Sequence, residues 1–248
     1  MKISIIIPVL NEEEHISLLL SYLKKNSSTK NIAEIIVVDG GSTDGTFMSA
    51  EAENAVVISS KKGRAKQLNK GAKNATGDVL YFLHADSFPP KNFDVEILQA
   101  IQNGHPAGCF RLKFDSNHWW LKLAGWLTRF NLSNCRGGDQ SQFITRALFD
   151  DIGGYDESYR IYEDNVLIRE LYKRKHFTVI PKTITTSARL YKEKGVWTLQ
   201  YHFWAIHLKK RLGASADELY AYYSKHIKQS QKHYKQDEAS MQEVFMDE

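Results

Sequence analysis

Apolar and polar positions alternate in two rhythms along the first half of the chain. Ile3, Ile5, Ile6 and Ile7 form a short apolar run closed by Pro8, and Ile16, Leu19, Leu20 and Leu23 then recur at helical spacing. Glu34-Ile35-Ile36-Val37-Val38-Asp39 predicts a second buried strand, and residues 55–59 a shorter third. Lys61-Lys62-Gly63-Arg64 leads into a helix with Ala65, Leu68, Ala72 and Ala75 on one face. After the turn signal Gly77-Asp78, the unbroken run Val79-Leu80-Tyr81-Phe82-Leu83 predicts a fourth strand buried on both faces.

Strand and helix in that order predict right-handed crossovers and an α/β fold with a parallel sheet between layers of helices. Ligands bind at the carboxyl edge of such a sheet. The turns on that edge hold Asn11 and Glu12, then Asp39 and Asp44, then Arg64, and finally His84 and Asp86. One acidic residue behind a strand is ordinarily a cap or turn former. Several at successive strand ends point to a shared ligand site. Because side chains alternate along a strand, His84 and Asp86 are expected to project to the same side and converge on one ion or phosphate. Capping of the following helix by Asp86 is the competing reading.

The turn Gly40-Gly41-Ser42-Thr43-Asp44-Gly45-Thr46 opens a helix whose free N–H groups can face an anion or a ribose. The turn after the first strand, Pro8-Val9-Leu10-Asn11-Glu12, has no glycine, so the dinucleotide fingerprint is absent, as is a Walker loop. A nucleotide would be held by carboxylates and amides on its base and ribose.

The second half is less regular. Residues 107–114 predict a strand and residues 118–131 a helix whose Trp119, Trp120, Leu123, Trp126, Leu127 and Phe130 are expected in the core, an acceptor platform being the sharper alternative. A polar loop, Arg136-Gly137-Gly138-Asp139-Gln140, precedes Phe143-Ile144, and Gly153-Gly154 marks a helix stop. Glu163-Asp164 open a helix carried by Val166, Leu167, Leu171 and Tyr172. Capping is their ordinary role, and the helix dipole would depress their pKa; a general base there needs a desolvated setting to offset it.

Composition narrows the function classes. The 248 residues, 42% apolar and 25% charged, fit a soluble globular chain: a domain over residues 1–190, with a donor half to about 90 and an acceptor half beyond, plus a helical appendage over 191–248. A formal charge of +4 is too mild to imply nucleic acid. No leader is read at Met1-Lys2, no window approaches the run of about 18 apolar residues that spans a bilayer, and Cys109 and Cys135 are read as packing residues. A cytoplasmic protein is expected. Trp197, Leu199, Tyr201, Phe203, Trp204, Ile206, Leu208 and Leu212 are too many apolar residues for a thin stripe, with Lys209-Lys210-Arg211 beside them. Packing on the sheet or a homodimer interface is the first expectation for them, a helix lying on a membrane surface the second. His207 is expected to be structural, and the polar residues from about Gln229 to fray.

These motifs resemble those of the family 2 glycosyltransferases, inverting enzymes with a GT-A fold. The resemblance rests on Ile5-Ile6-Ile7-Pro8-Val9-Leu10-Asn11-Glu12-Glu13, on Val37-Val38-Asp39-Gly40-Gly41-Ser42-Thr43-Asp44-Gly45-Thr46, on Gly63-Arg64-Ala65 with Leu68-Asn69, and on Glu163-Asp164, in the family's order over roughly residues 3–190. His84-Ala85-Asp86, Gly138-Asp139-Gln140 and Thr186-Ser187-Ala188-Arg189 are similar to a small bacterial subgroup named in part after arsenosugar biosynthesis. The resemblance implies a nucleotide-sugar donor, UDP-linked by preference, and an acceptor hydroxyl on a small molecule, glycan or lipid. By the same token Pro8, Asn11, Glu12, Asp39 and Asp44 would line the base and ribose pocket, and Arg64 and Arg189 would approach the diphosphate. Asp86 would hold Mn²⁺ or Mg²⁺ with His84, which stands where the family's metal motif has its first Asp. Asp164 would be the general base, with Glu163 beside it. A sugar nucleotidyltransferase lacks support because its glycine-rich basic loop is missing, and a non-catalytic nucleotide-sugar-binding protein is the other alternative.

Overall fold

A computed structural model describes residues 1–228, so the expectation that the tail from about Gln229 frays lies outside the described residues. Strands β1 (Ile3–Val9), β2 (Ile32–Asp39), β3 (Val56–Ser59) and β4 (Val79–Phe82) alternate with helices α1 (Glu13–Lys25), α2 (Thr46–Ala52) and α3 (Arg64–Asn74). There follow β5 (Ser87–Phe88), α4 (Phe93–Gln102), β6 (Ala107–Phe114), α5 (Trp119–Leu127), β7 (Gln142–Thr145), α6 (Arg146–Ile152), α7 (Glu163–Lys173) and β8 (Phe177–Thr186). Helices α8 (Arg189–Lys194), α9 (Val196–Arg211) and α10 (Ala216–His226) close the described chain.

The strands make one sheet in the order β3-β2-β1-β4-β7-β6-β8-β5. β1 to β4 are mutually parallel, as the alternation predicts. β7 is antiparallel to β4 and β6, β6 and β8 are parallel, and β5 is reversed against β8, so the sheet is mixed but mostly parallel. Ile3, Ile5, Ile7 and Tyr81 pack under α1 and α4 against Ile16, Leu20, Phe93 and Ile97. On the opposite face Ile6, Val38, Leu80 and Phe82 meet Leu68 of α3, Phe149 of α6 and Leu167 of α7. Each such side chain contributes about 1.5–3 kcal/mol by leaving water, which is why both faces are apolar and no period of two shows in these strands.

Three expectations are corrected. Pro8 does not end the first strand, which runs to Val9. Ile6 O accepts from Leu83 N and Val9 O from Gly40 N, so alternation turns the Pro8 nitrogen toward the flank of β4, where β4 has already ended at Phe82 and no ladder bond is lost. The aromatic helix is shorter than predicted, and Trp119, Leu123, Trp126, Leu127 and Phe130 are exposed while Leu121 is buried. Likewise Trp197, Tyr201, Trp204 and Leu208 of α9 face solvent, and Leu199 and Ile206 alone meet the core expectation in full.

β8 went unread in the sequence because Pro181 interrupts its β-branched run. The proline falls where the register against β6 slips, between the pairs Phe110–Ile180 and Arg111–Thr183, a bulge that needs no donor. The C-terminal helices form a satellite core of Tyr162, Leu199, Ile206, Leu219 and Ile227. Among the described residues no helix is long and apolar enough to cross a membrane.

Candidate active site

The ends of β1 and β2 are sewn together by their turns. Asn11 sits in the left-handed region at φ 57°, which asparagine tolerates. Its N–H donates to Ser42 Oγ at 2.9 Å and its Oδ1 accepts from Thr43 N at 2.8 Å. Asp39 accepts from Ser42 N at 3.0 Å and from the Ser42 hydroxyl at 2.5 Å. Asp44 accepts from Thr46 N at 3.1 Å, a turn bond just ahead of α2, whose N-cap position is Gly45; burial would raise its pKa, but the Thr46 bonds outweigh it and hold it low. From α3, Gln67 Nε2 donates to Val9 O and Val38 O, each at 2.8 Å, bridging the two strand ends.

A second group of charges has few partners. Tyr162, one residue before α7, adopts φ 73°, a costly conformation for a bulky side chain. Its hydroxyl lies 3.1 Å from His207 Nδ1 and accepts from Arg169 Nη2 at 2.6 Å, which fixes the turn and gives His207 its expected structural role. Glu163 and Asp164 follow and make no side-chain cap at their helix. Arg64 Nε is 3.6 Å from Glu163 Oε1, and Arg64 Nη1 is 3.6 Å from Asp164 Oδ2. Glu163 is 1% exposed and neither of its oxygens accepts a hydrogen bond. An orphaned buried acceptor costs about 1–3 kcal/mol, more when charged.

Burial first, and then the Glu163 charge, push the Asp164 pKa up to about 7 against the pull of Arg64. Desolvation therefore overcomes the helix dipole. Gly138 backs this carboxyl so closely that a methyl group there would collide with it and come within 3.4 Å of His84 Cε1.

The turn after β4 departs from the expected geometry. The strand stops at Phe82 and a turn closes with Ser87 N donating to His84 O at 3.2 Å, so strand alternation does not govern His84 and Asp86. They nonetheless lie among the same charged neighbours, Arg64 and Asp139. His84 Nδ1 lies 3.6 Å from Asp139 Oδ1, and burial with the nearby Arg64 charge lowers its pKa to about 3, leaving a neutral imidazole. Asp86 does not cap α4, whose N-cap position is Asn92. Its carboxyl accepts a 3.5 Å contact from the Ser87 hydroxyl, and burial, then the Asp139 and Glu12 charges, raise its pKa to about 6. Arg189 Nη2 is 3.3 Å from Glu12 Oε1, and His15 Nδ1 is 3.4 Å from Glu12 Oε2.

Glu12, Arg64, His84, Asp86, Glu163, Asp164 and Arg189 thus converge, whereas Asn11, Asp39 and Asp44 form the turns beside them and Pro8 lies in β1. Sequence reasoning assigned no role to Asp139, although it sits in a quoted glycine loop, or to Gln67. Tyr223 of α10, within electrostatic range of Arg64 and Glu163, carries no local signal at all. Among the described residues no three His, Cys, Asp or Glu side chains are grouped to hold a metal. A thinly partnered carboxylate and a neutral imidazole fit a divalent ion that takes its remaining ligands from substrate oxygens and water.

Residues 4–171 match the family model described as glycosyl transferase family 2. The chain belongs to this family. The chain is 26% identical over 197 residues to the undecaprenyl-phosphate 4-deoxy-4-formamido-L-arabinose transferase of Proteus mirabilis (strain HI4320), covering 76% of this chain and 57% of that one. It is 33% identical over 110 residues to a dolichol-phosphate mannosyltransferase of Pyrococcus furiosus, 42% of this chain and 31% of that one. The chain therefore spans little more than half the length of the first of these relatives and under a third of the second. Its fold is similar to that of S. aureus TarS 1–349 in complex with UDP (TM-score 0.60, 22% identity, 76% and 61% of the two chains). It is also similar to glucosyl-3-phosphoglycerate synthase from Mycobacterium tuberculosis in complex with Mn²⁺, UDP and glucosyl-3-phosphoglycerate (TM-score 0.59, 18% identity, 91% and 80%). This family 2 glycosyltransferase accordingly has the expected GT-A fold.

Proposed function

We propose that the cleft transfers a sugar from a nucleoside-diphosphate sugar, UDP-linked by preference, to an acceptor hydroxyl with inversion, Asp164 acting as general base. The observation that carries this is the setting of Asp164: buried, free of capping bonds, raised toward neutrality, and 3.6 Å from a guanidinium that also faces Glu163. A base with a pKa near the working pH is both deprotonated often enough and strong enough to take a hydroxyl proton as the oxygen attacks. Arg64 and Arg189 supply positive charge where the diphosphate leaving group gains negative charge. Asp39 and Asn11, fixed by Ser42 and Thr43, would present acceptors to the base and ribose. Asp86 and His84 would hold the Mn²⁺ or Mg²⁺, which when bound supplies Lewis-acid stabilisation of that leaving group.

The named activities of the relatives, a lipid-phosphate sugar transferase among them, support a sugar-transfer reading and leave the acceptor class open. The narrower subgroup likeness rests on the motifs around Asp86, Asp139 and Arg189 alone. Incubation with UDP-, GDP- and dTDP-sugars plus Mn²⁺ tests the proposal. Slow release of nucleoside diphosphate from one donor is expected. Donor binding with no release would make the protein a binder, and a requirement for pyrophosphate would make it a nucleotidyltransferase.

A further inference from the structure

Helix α9 is apolar on both faces. Leu199 and Ile206 enter the satellite core, while Trp197, Tyr201, Trp204, Leu208 and Leu212 follow one another at spacings of four, three, four and four, a single stripe that is at least half exposed at every position. Helix α5 and the turn after it add a parallel case, with Trp119, Leu123, Trp126 and Phe130 exposed at spacings of four, three and four. Trp120 joins the two helices: its ring lies 5.3 Å from that of Trp197 and 5.8 Å from that of Trp204, and its Nε1 donates to Gln200 Oε1 at 3.0 Å. The result is a continuous exposed aromatic surface, larger in kind than the scattered apolar residues of an ordinary monomer.

Charge decides what covers it. No acidic residue occurs from Ser116 to Gly138, or from Lys194 to Ala216, whereas those stretches carry Lys122, Arg129, Lys209 and Arg211. The Arg129 guanidinium lies over the Trp126 ring at 4.4 Å, so cation and aromatic sit at one level. A second copy of the chain packed by two-fold symmetry would bring these cations against their own equivalents. An anionic lipid surface complements them, and tryptophan and tyrosine beside lysine and arginine are what the headgroup boundary favours.

We infer that the α5–α9 surface docks flat on an anionic bilayer without crossing it. The inference stands apart from the chemistry of the cleft, because vesicle binding needs no donor and no turnover.

The test is sedimentation of the full chain with phosphatidylcholine vesicles, with and without phosphatidylglycerol, together with tryptophan emission. Expected are co-sedimentation and a blue shift with the phosphatidylglycerol vesicles. The triple variant Tyr201→Ser, Trp204→Ser, Leu208→Ser should lose at least about tenfold in partition, with an unchanged melting temperature and unchanged nucleotide-sugar binding in vesicle-free buffer. Lys209→Glu with Arg211→Glu should reduce binding to the phosphatidylglycerol vesicles specifically. Failure of the wild-type chain to sediment, or equal partition of wild type and triple variant, overturns the docking. A concentration-dependent dimer in analytical ultracentrifugation that the triple variant dissolves, with no vesicle binding, overturns it in favour of a second copy. Equal partition of wild type into both vesicle types overturns the anionic preference.

Discussion

The two walls of the candidate site are built on opposite principles. On the β1–β2 wall the polar groups of the turns answer one another: Asn11 with Ser42 and Thr43, Asp39 with Ser42, Asp44 with Thr46, and Gln67 with both strand ends. On the opposite wall Glu163 has no hydrogen bond, Asp164 meets Arg64 at 3.6 Å, and Asp86 has one long contact with its neighbour's hydroxyl. The first wall is finished before any ligand arrives. The second holds buried charge at a cost to stability, and such a cost persists where a ligand or a proton is handled.

The largest expected effect breaks the second wall alone. Asp164→Asn should lower turnover about a hundredfold or more while the donor dissociation constant stays nearly constant, because the proposed base would act on the acceptor's proton and not on the donor. Single-turnover kinetics beside calorimetric donor binding make the check, and equal turnover in the two proteins removes Asp164 from the role. On the first wall, Gln67→Met should cost on the order of 1–3 kcal/mol in denaturant unfolding, since a buried amide loses two bonds to backbone carbonyls, with turnover per folded molecule preserved. A loss of turnover without a loss of stability would erase the distinction between the walls. Smaller again, Asp86→Ala should weaken donor affinity about tenfold in Mn²⁺ and leave affinity without metal unchanged, one carboxylate being a large share of a sparse ligand set. Identical calorimetric titrations with and without Mn²⁺ would dissociate Asp86 from the ion.

What the sequence disclosed follows the same division. The parallel half of the sheet was legible because its strands are short apolar runs separated by helical periodicity, and the finished wall because Asn11, Asp39 and Asp44 stand directly behind those runs. Arg64 and Asp86 were legible as members of the same sheet edge but not in their roles, which came only with the resemblance, and Asp164 was legible through the resemblance alone, since a charge at a helix start is locally indistinguishable from a cap. The desolvation that separates them from caps comes from chain-distant neighbours such as Gly138, which closes on Asp164, and Tyr223, which approaches Arg64. The exposed tryptophans failed for the converse reason. Local periodicity identifies an apolar face but not whether another element covers it, and α5 and α9 meet along only part of theirs.

Glu163 offers the finest division between the walls, because it acts on Asp164 only through charge. It lies buried beside Asp164 and its negative charge raises the Asp164 pKa, second only to burial. In Glu163→Gln the like charge is gone, so Asp164 should ionise at lower pH, and the acid limb of kcat/KM, expected in the wild type near the Asp164 pKa of about 7 if Asp164 is the base, should move down by up to about one unit. A weaker base is also a poorer one, so the plateau above the limb should fall modestly. The sign carries over to stability. A carboxyl with a folded pKa above its unfolded value binds its proton more tightly when folded, so it stabilises the fold at low pH and that contribution is lost as pH rises from about 4 through about 7. Glu163→Gln narrows that window from above, and the variant's melting temperature should therefore fall less steeply across it than the wild type's. A kinetic limb that moves without a change in that slope would mean that Glu163 acts on the bound acceptor rather than on Asp164.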